Sequence, residues 1–414
     1  MAHATSMRRA VPLAGCSGEP RGALKVWQPE GARHAVTTLT PSTRIRPSPF
    51  HAATLAAGLT HVTTYNRMIL PTGYGDARAE YDRLLHAVSL WDVGAERQVE
   101  MRGGDAARLA QALCARRLDG AEEGQGLYVP VCDHRGTLVN DPIALKLAPD
   151  RWWLSIADSD VLLHARAVAG ERGLDVRVHE PDVSPLAVQG PRAEDVVAGV
   201  FGDWVRDVRR FRFRETAVEN IPVMVARSGW SGQGGFEIYL LDGTRGTRLW
   251  DIVMEAGRFH GIGPGSPNAV ERIESGLLSW GGDTDDETNP FEVRMGRYTH
   301  TDVPDDTVGA RALRRIEAEG PRRHQLGAVL EGDEPLPVPS RWCAVTRDGE
   351  RVGDLTNLAW SWRMGANIGF ALVSRDAAAG DTVSVAVDAR GDGRGDGRGN
   401  GREVAARLVE LPFL

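Results

Sequence analysis

Ala226-Arg227-Ser228-Gly229-Trp230-Ser231-Gly232-Gln233-Gly234-Gly235-Phe236-Glu237-Ile238-Tyr239-Leu240 carries most of what this chain says about its fold and chemistry. Glycines at Gly229, Gly232, Gly234 and Gly235 let the backbone turn where side chains clash and let a ligand approach the main chain. The run ends in an apolar strand interrupted by one carboxylate, Glu237. A carboxylate in such a strand is costly to bury unless it is paired. A flat heterocycle with adjacent N–H and NH2 donors suits it, because a carboxylate accepts two parallel hydrogen bonds. Taken alone, the same residues also describe a hairpin whose Glu237 faces solvent.

Working outward, 414 residues are too many for one ordinary core, so two or three domains are expected. A hydrophobic fraction of 42% and a charged fraction of 25% are those of a soluble globular protein. A net charge of −7 argues against nucleic acid or a membrane surface as the partner. The four cysteines, Cys16, Cys114, Cys132 and Cys343, show no metal-like spacing and fit a reducing cytoplasm. No apolar run approaches the roughly 20 residues that span a bilayer, and the N-terminus lacks the apolar core of a signal peptide. Eleven tryptophans supply flat apolar faces for packing, stacking or holding a cation.

Residues 1–45 show no sustained period and are expected to be a disordered extension. Residues 389–401, alternating Gly with Arg, Asp and Asn, are expected to be a flexible loop between two strands. Between them, strands are expected at Gln98–Arg102, Trp152–Ile156 and Val183–Val188. Helices are expected at Ala106–Leu113 (capped by Asp105), Asp158–Ala169, after Gly190-Pro191, at Leu249–Phe259 and at Ala269–Leu278. From about His324 the pattern changes to short strands, with a hairpin signal at Asp348-Gly349. The fold class is therefore α+β: a mixed body over 46–320 and an all-β domain over 321–414.

Two further constellations carry chemistry. Val131 to Pro142 reads as strand, turn, strand, with Asp133–Gly136 in the turn and Asp141 at the end of the second strand. A carboxylate there either steers a cationic or N–H-bearing ligand or stabilises the turn. Arg272 and Glu274 stand two apart on a helix and so point to different faces. Arg272 is placed to meet an anion bidentately or to face solvent as an ordinary surface charge. The signatures of a redox dinucleotide, an NTP, a zinc protease and a serine hydrolase are absent, and the eleven histidines form no ligand cluster.

In order along the chain, these segments resemble the folate-dependent T-protein family of glycine cleavage. Tyr128 and Asp141 correspond to its tyrosine and pterin-side aspartate. Arg227 to Glu237 corresponds to its Arg-x-Gly-Tyr-Thr-Gly…Gly-Phe/Tyr-Glu segment, Arg272-x-Glu274-x-Gly276 to its Arg-x-Glu helix, and Asn289-Pro290-Phe291-Glu292 to a later Pro-x-Glu turn. The segments Tyr65–Pro71, Trp91–Glu100 and Trp152–Asp160 are most like the dimethylsulfoniopropionate demethylases of that family. The likeness spans about residues 60–414.

The resemblance implies a ring of three subdomains around a central channel that admits tetrahydrofolate, with a small C-terminal β-barrel. It implies that Glu237, Trp230, Arg227 and Arg272 bind the folate and that Asp141 and Tyr128 lie at the reacting nitrogen. Trp152, Trp153, Asp158 and Tyr65 are expected at the small-molecule methyl donor. The chain departs from the family in carrying Trp230 where Tyr is usual and Asp158 near a usual Asn. It lacks the Lys-Gly-Cys-Tyr-x-Gly-Gln motif of the iron–sulfur assembly relatives, and no lipoyl-carrier partner is implied.

The expected activity is transfer of a methyl group from a small S-, N- or O-methyl compound to tetrahydrofolate. Aminomethyl transfer, one-carbon transfer in specialised metabolism and non-catalytic folate binding are the alternatives. A cytoplasmic location is expected, and a homodimer is one option for its assembly.

Overall fold

The computed structural model describes residues 42–387 and 402–414, together with the two-residue strands Leu24–Lys25 and Thr38–Leu39. Most of the expected 1–45 extension and all of the expected 389–401 loop lie outside the described residues. The strands that flank the latter, Thr382–Val387 and Arg402–Val409, pair antiparallel. Among the described residues no helix is long and apolar enough to cross a membrane.

A five-stranded antiparallel sheet runs in the order Arg177–His179, Gln98–Arg102, Arg151–Ser155, Ile143–Ala148, Gln125–Tyr128. Helices Ala106–Leu113 and Val161–Glu171 cover one face, burying Leu109, Leu113 and Val161 against Val99, Met101, Trp152 and Leu154. Side chains alternate across a strand, so Trp153 points the other way. It joins Leu145, Met224, Ala226 and Tyr239 in a second core between this sheet and the next.

That next sheet has six strands, ordered Phe213–Val218, Ile221–Ala226, Gly235–Leu240, Ser184–Gln189, Val88–Asp92, Ile262–Gly265; only its last pair is parallel. Its outer face packs on helices Ala193–Phe201 and Gly246–Ala256 through Phe236, Ile238 and Leu240. The same period of two turns Glu237 and Tyr239 inward, toward the five-stranded sheet. This puts the carboxylate on the buried side and rejects the solvent-facing hairpin. Gly235 lies against the neighbouring strand with φ +147°, where a Cβ would sit 2.3 Å from the Val188 carbonyl oxygen.

From Arg323 the chain forms a barrel. Arg323–Leu330 pairs with both Ala366–Ser374 and Arg402–Val409, closing six strands on themselves. The Asp348-Gly349 turn joins Cys343–Arg347 to Glu350–Leu355 with both central residues left-handed, the geometry that favours Asp-Gly in hairpins. Glu274, fully buried, fastens barrel to body. It accepts from Tyr81 in the body at 2.8 Å, and from Ser361 and Arg363 at the barrel.

Several helix ends and one helix cap differ from expectation, among them the helix expected over Leu249–Phe259, which runs Gly246–Ala256. The helix expected over Ala269–Leu278 ends at Glu274. Gly276 is left-handed (φ +67°) and Leu277 N–H bonds back to the Arg272 carbonyl, a glycine-terminated helix end that stops the turn early. Asp105 precedes its helix as expected, but its carboxylate accepts from the Asp175 amide at 2.8 Å instead of from a helical N–H. The helix expected from Asp158 begins at Val161.

Candidate active site

A cavity of about 390 Å³ lies where the two body sheets, the segment 267–298 and the hairpin before Pro142 meet. Of the residues expected at the site, Tyr65, Tyr128, Asp141, Trp230, Glu237 and Arg272 all line it.

Tyr128 ends the edge strand of the five-stranded sheet, and Asp141 follows the strand Leu138–Asn140. Pro142 breaks that strand and turns the Asp141 carboxylate into the cavity. The Tyr128 hydroxyl donates to Asp141 Oδ2 at 2.7 Å. Burial pushes the Asp141 carboxyl up to about 7, with Tyr128 opposing and the Asp283 charge adding to the rise. Tyr128 is itself held far above the usual phenol range by burial and by Asp141.

Glu237 Oε2 accepts from Ser228 at 2.6 Å and from Tyr239 at 2.9 Å. Both donors come from the opening stretch of sequence, Ser228 from the glycine turn and Tyr239 from two residues along the same strand face. Burial raises the Glu237 carboxyl despite them.

A third carboxylate, Glu96, faces the same cavity from the turn after Val88–Asp92. Among the described residues no hydrogen bond or salt bridge reaches its side chain. Burial raises it well above the carboxylate range, and repulsion from Glu237 and Asp141 adds to this. Three acids thus converge with no salt bridge to any of them among the described residues. Arg272 does not neutralise them: its guanidinium bonds Asp283 at 2.7 Å and lies 5.6 Å over the Trp230 ring. Trp230 in turn is fixed by its indole N–H to the Leu278 carbonyl at 3.1 Å. The cavity therefore offers flat aromatic walls and spare carboxylate oxygens, an environment for a ligand rich in N–H donors or bearing positive charge.

The remaining expected residues lie elsewhere. Trp152 and Trp153 are 2% and 0% exposed, each packed in a core on opposite faces of its strand. Arg227 pairs with Glu194 at 2.7 Å and bonds the Arg206 and Val208 carbonyls, behind the glycine turn. Asp158 is exposed and accepts from the Asn66 amide at 2.7 Å.

Glu96, Trp280, Tyr298, Arg210 and Arg297 line the cavity without having been expected there. Glu96 sits in a turn, where no period marks which way a side chain points. The others occupy irregular chain, Arg297 and Tyr298 in a single 3-10 turn, Gly296–Tyr298.

Residues 50–303 match the GCVT N-terminal domain, and residues 323–414 match the glycine cleavage T-protein C-terminal barrel domain. The chain is 43% identical over 340 residues to a dimethylsulfoniopropionate demethylase from Ruegeria pomeroyi, covering 82% of this chain and 92% of that one. It is 30% identical over 348 residues to an aminomethyltransferase from Rubrobacter xylanophilus, covering 83% and 88%. The crystal structure of the glycine cleavage aminomethyltransferase T from Bartonella henselae superposes with a TM-score of 0.75 at 20% identity, over 89% of this chain and 98% of that one, and so shares its fold. The chain belongs to the glycine cleavage T-protein family.

Proposed function

We propose that this protein is a tetrahydrofolate-dependent demethylase, moving a methyl group from a small onium compound to the folate. The observation that carries the reading is the convergence of Glu96, Asp141 and Glu237 in one aromatic-walled cavity, none of them in a salt bridge among the described residues. The name of the 43% identical relative supports dimethylsulfoniopropionate as the donor to test first.

The residues fit a folate. Glu237 keeps Oε1 clear of hydrogen bonds among the described residues, so it can accept the paired N–H donors of a pterin. Trp230, held by Leu278 and backed by Arg272, offers a rigid face for the ring or its extension. When bound, tetrahydrofolate supplies a nucleophilic nitrogen that takes the methyl carbon while the C–S electron pair stays on sulfur and the nitrogen's proton is released.

The protein's own part is binding and alignment. Asp141 holds the sulfonium by charge, with Tyr128 fixing its carboxylate and Tyr65 closing the wall. Its pKa near 7 also suits it to take up the released proton at Oδ. The sulfonium is already activated by its charge, so rate comes from holding donor carbon and acceptor nitrogen in line and excluding water. We place the enzyme in the cytoplasm, a reading supported by the buried free thiols Cys114 and Cys132.

The test is to incubate the protein with tetrahydrofolate and dimethylsulfoniopropionate and assay 3-methylthiopropionate. Its formation only when folate is present is the expected result; its absence removes this donor. The aminomethyltransferase relative makes aminomethyl transfer the second reading, and methylene-tetrahydrofolate formation would favour it.

A further inference from the structure

Besides the three acids, the cavity is lined by four arginines, Arg210, Arg272, Arg294 and Arg297. Two are committed. Arg272 is bound to Asp283, and Arg294 donates to the Gly276 carbonyl at 3.2 Å and the Leu411 carbonyl at 3.4 Å. Arg210 and Arg297 have no carboxylate partner among the described residues, and each lies over a ring: Arg210 5.1 Å from the Phe211 centroid, Arg297 4.7 Å from that of Tyr298. Stacking on a ring orients a guanidinium while leaving its donors open.

Arg297 is the one beside the reacting end. Tyr298, on which it stacks, meets Tyr128 edge-on at 5.0 Å, and Tyr128 carries the hydrogen bond to Asp141. The Arg297 charge is felt at the Tyr128 hydroxyl, where it opposes the upward pull of burial. Arg297 is exposed and Asp141 half-buried, and both line the cavity, so one ligand can meet both. The cavity thus carries both signs of charge, with its two arginines that lack a carboxylate partner exposed and its three acids buried or half-buried.

Resting on the demethylase reading above, we propose that Arg297 binds the carboxylate of a zwitterionic methyl donor whose onium end sits against Asp141. Arg297 then sets specificity: the enzyme selects onium carboxylates over onium compounds with a neutral far end. The same guanidinium chemistry also suits the glutamate carboxylates of a folate, and the test separates the two sources.

The experiment is titration of the full chain, without tetrahydrofolate, with dimethylsulfoniopropionate and with its amide. Wild type is expected to bind the acid about 10- to 100-fold more tightly, the loss typical of removing a charged hydrogen-bond partner. In Arg297→Gln that ratio falls to near one, and Arg297→Lys recovers part of it. A second arm compares tetrahydrofolate with tetrahydropteroate, which lacks the glutamate. Wild type that does not prefer the acid, or an Arg297→Gln variant that keeps the acid preference, overturns the inference. Loss of tetrahydrofolate affinity with an intact acid preference assigns Arg297 to the glutamate instead. If wild type prefers the acid yet transfers no methyl group, the demethylase reading fails while the carboxylate site stands.

Discussion

Tyr128 and Asp141, thirteen residues apart on neighbouring hairpins, share a 2.7 Å hydrogen bond inside the cavity, and the hydroxyl donates to a carboxyl that burial has raised to about 7. The bond fixes one carboxylate oxygen and leaves the other to a ligand. Asp141→Asn removes the charge but keeps the shape. We expect kcat for methyl transfer to fall at least about 100-fold, the lower range for losing a positioned acid–base or charged group. Folate affinity, measured by Trp fluorescence titration, stays within about twofold.

Glu237→Ala is expected to act the other way. It leaves the N–H donors of a bound pterin unpaired, which costs about 2 kcal/mol, or about 30-fold in tetrahydrofolate affinity. Equilibrium titration checks this. Unchanged affinity would remove Glu237 from the folate site.

The raised Asp141 value sets a pH dependence. In the unfolded chain this carboxyl titrates near 4; in the fold it titrates near 7. Between those values the native state holds a proton that the unfolded state has lost. This group's contribution to stability therefore falls as pH rises from about 4 to about 7 and is level outside that window. An onium ligand favours the ionised form and offsets the cost. The rise in melting temperature given by dimethylsulfoniopropionate is expected to be larger at pH 8 than at pH 6, and an equal rise would argue against contact with Asp141.

Glu274 holds body and barrel together from a fully buried position. Removing it leaves Arg363 and Tyr81 without their shared acceptor. Glu274→Ala is expected to cost about 3–5 kcal/mol in denaturant unfolding, the usual effect of deleting one partner of a buried ion pair. Glu274→Gln, which keeps the acceptor for Tyr81, costs less.

Trp153→Ala is expected to lower stability by about 3–5 kcal/mol, as for other large aromatic deletions in a core. A selective loss of donor binding in a variant that remains as stable as wild type would return Trp153 to the substrate site.

The fold was legible where periodicity is strong. The strand Gln98–Arg102, the helix Ala106–Leu113 and the Asp348-Gly349 hairpin stand where their patterns put them. Glu237 and Asp141 were legible as cavity residues through the family resemblance, since local pattern alone also allowed a solvent-facing Glu237 and a turn-stabilising Asp141. Trp152 and Trp153 misled because aromatic faces serve a core as well as a ligand, and only the sheet packing tells which. Arg227 was misread for a related reason: the glycine turn beside it bends Ser228 and Trp230 inward and sends the arginine to Glu194. Glu96 and Arg297 were silent, since side-chain direction in turns is set by tertiary contacts that no spacing encodes.

The most direct test uses dimethylsulfoniopropionate with both S-methyl groups deuterated, mixed with the protein and tetrahydrofolate and followed by mass spectrometry of the folate. The account predicts a folate heavier by an intact trideuteromethyl group, with 3-methylthiopropionate formed in equal amount. A folate that stays unlabelled, or that carries only a dideuteromethylene unit, would contradict it.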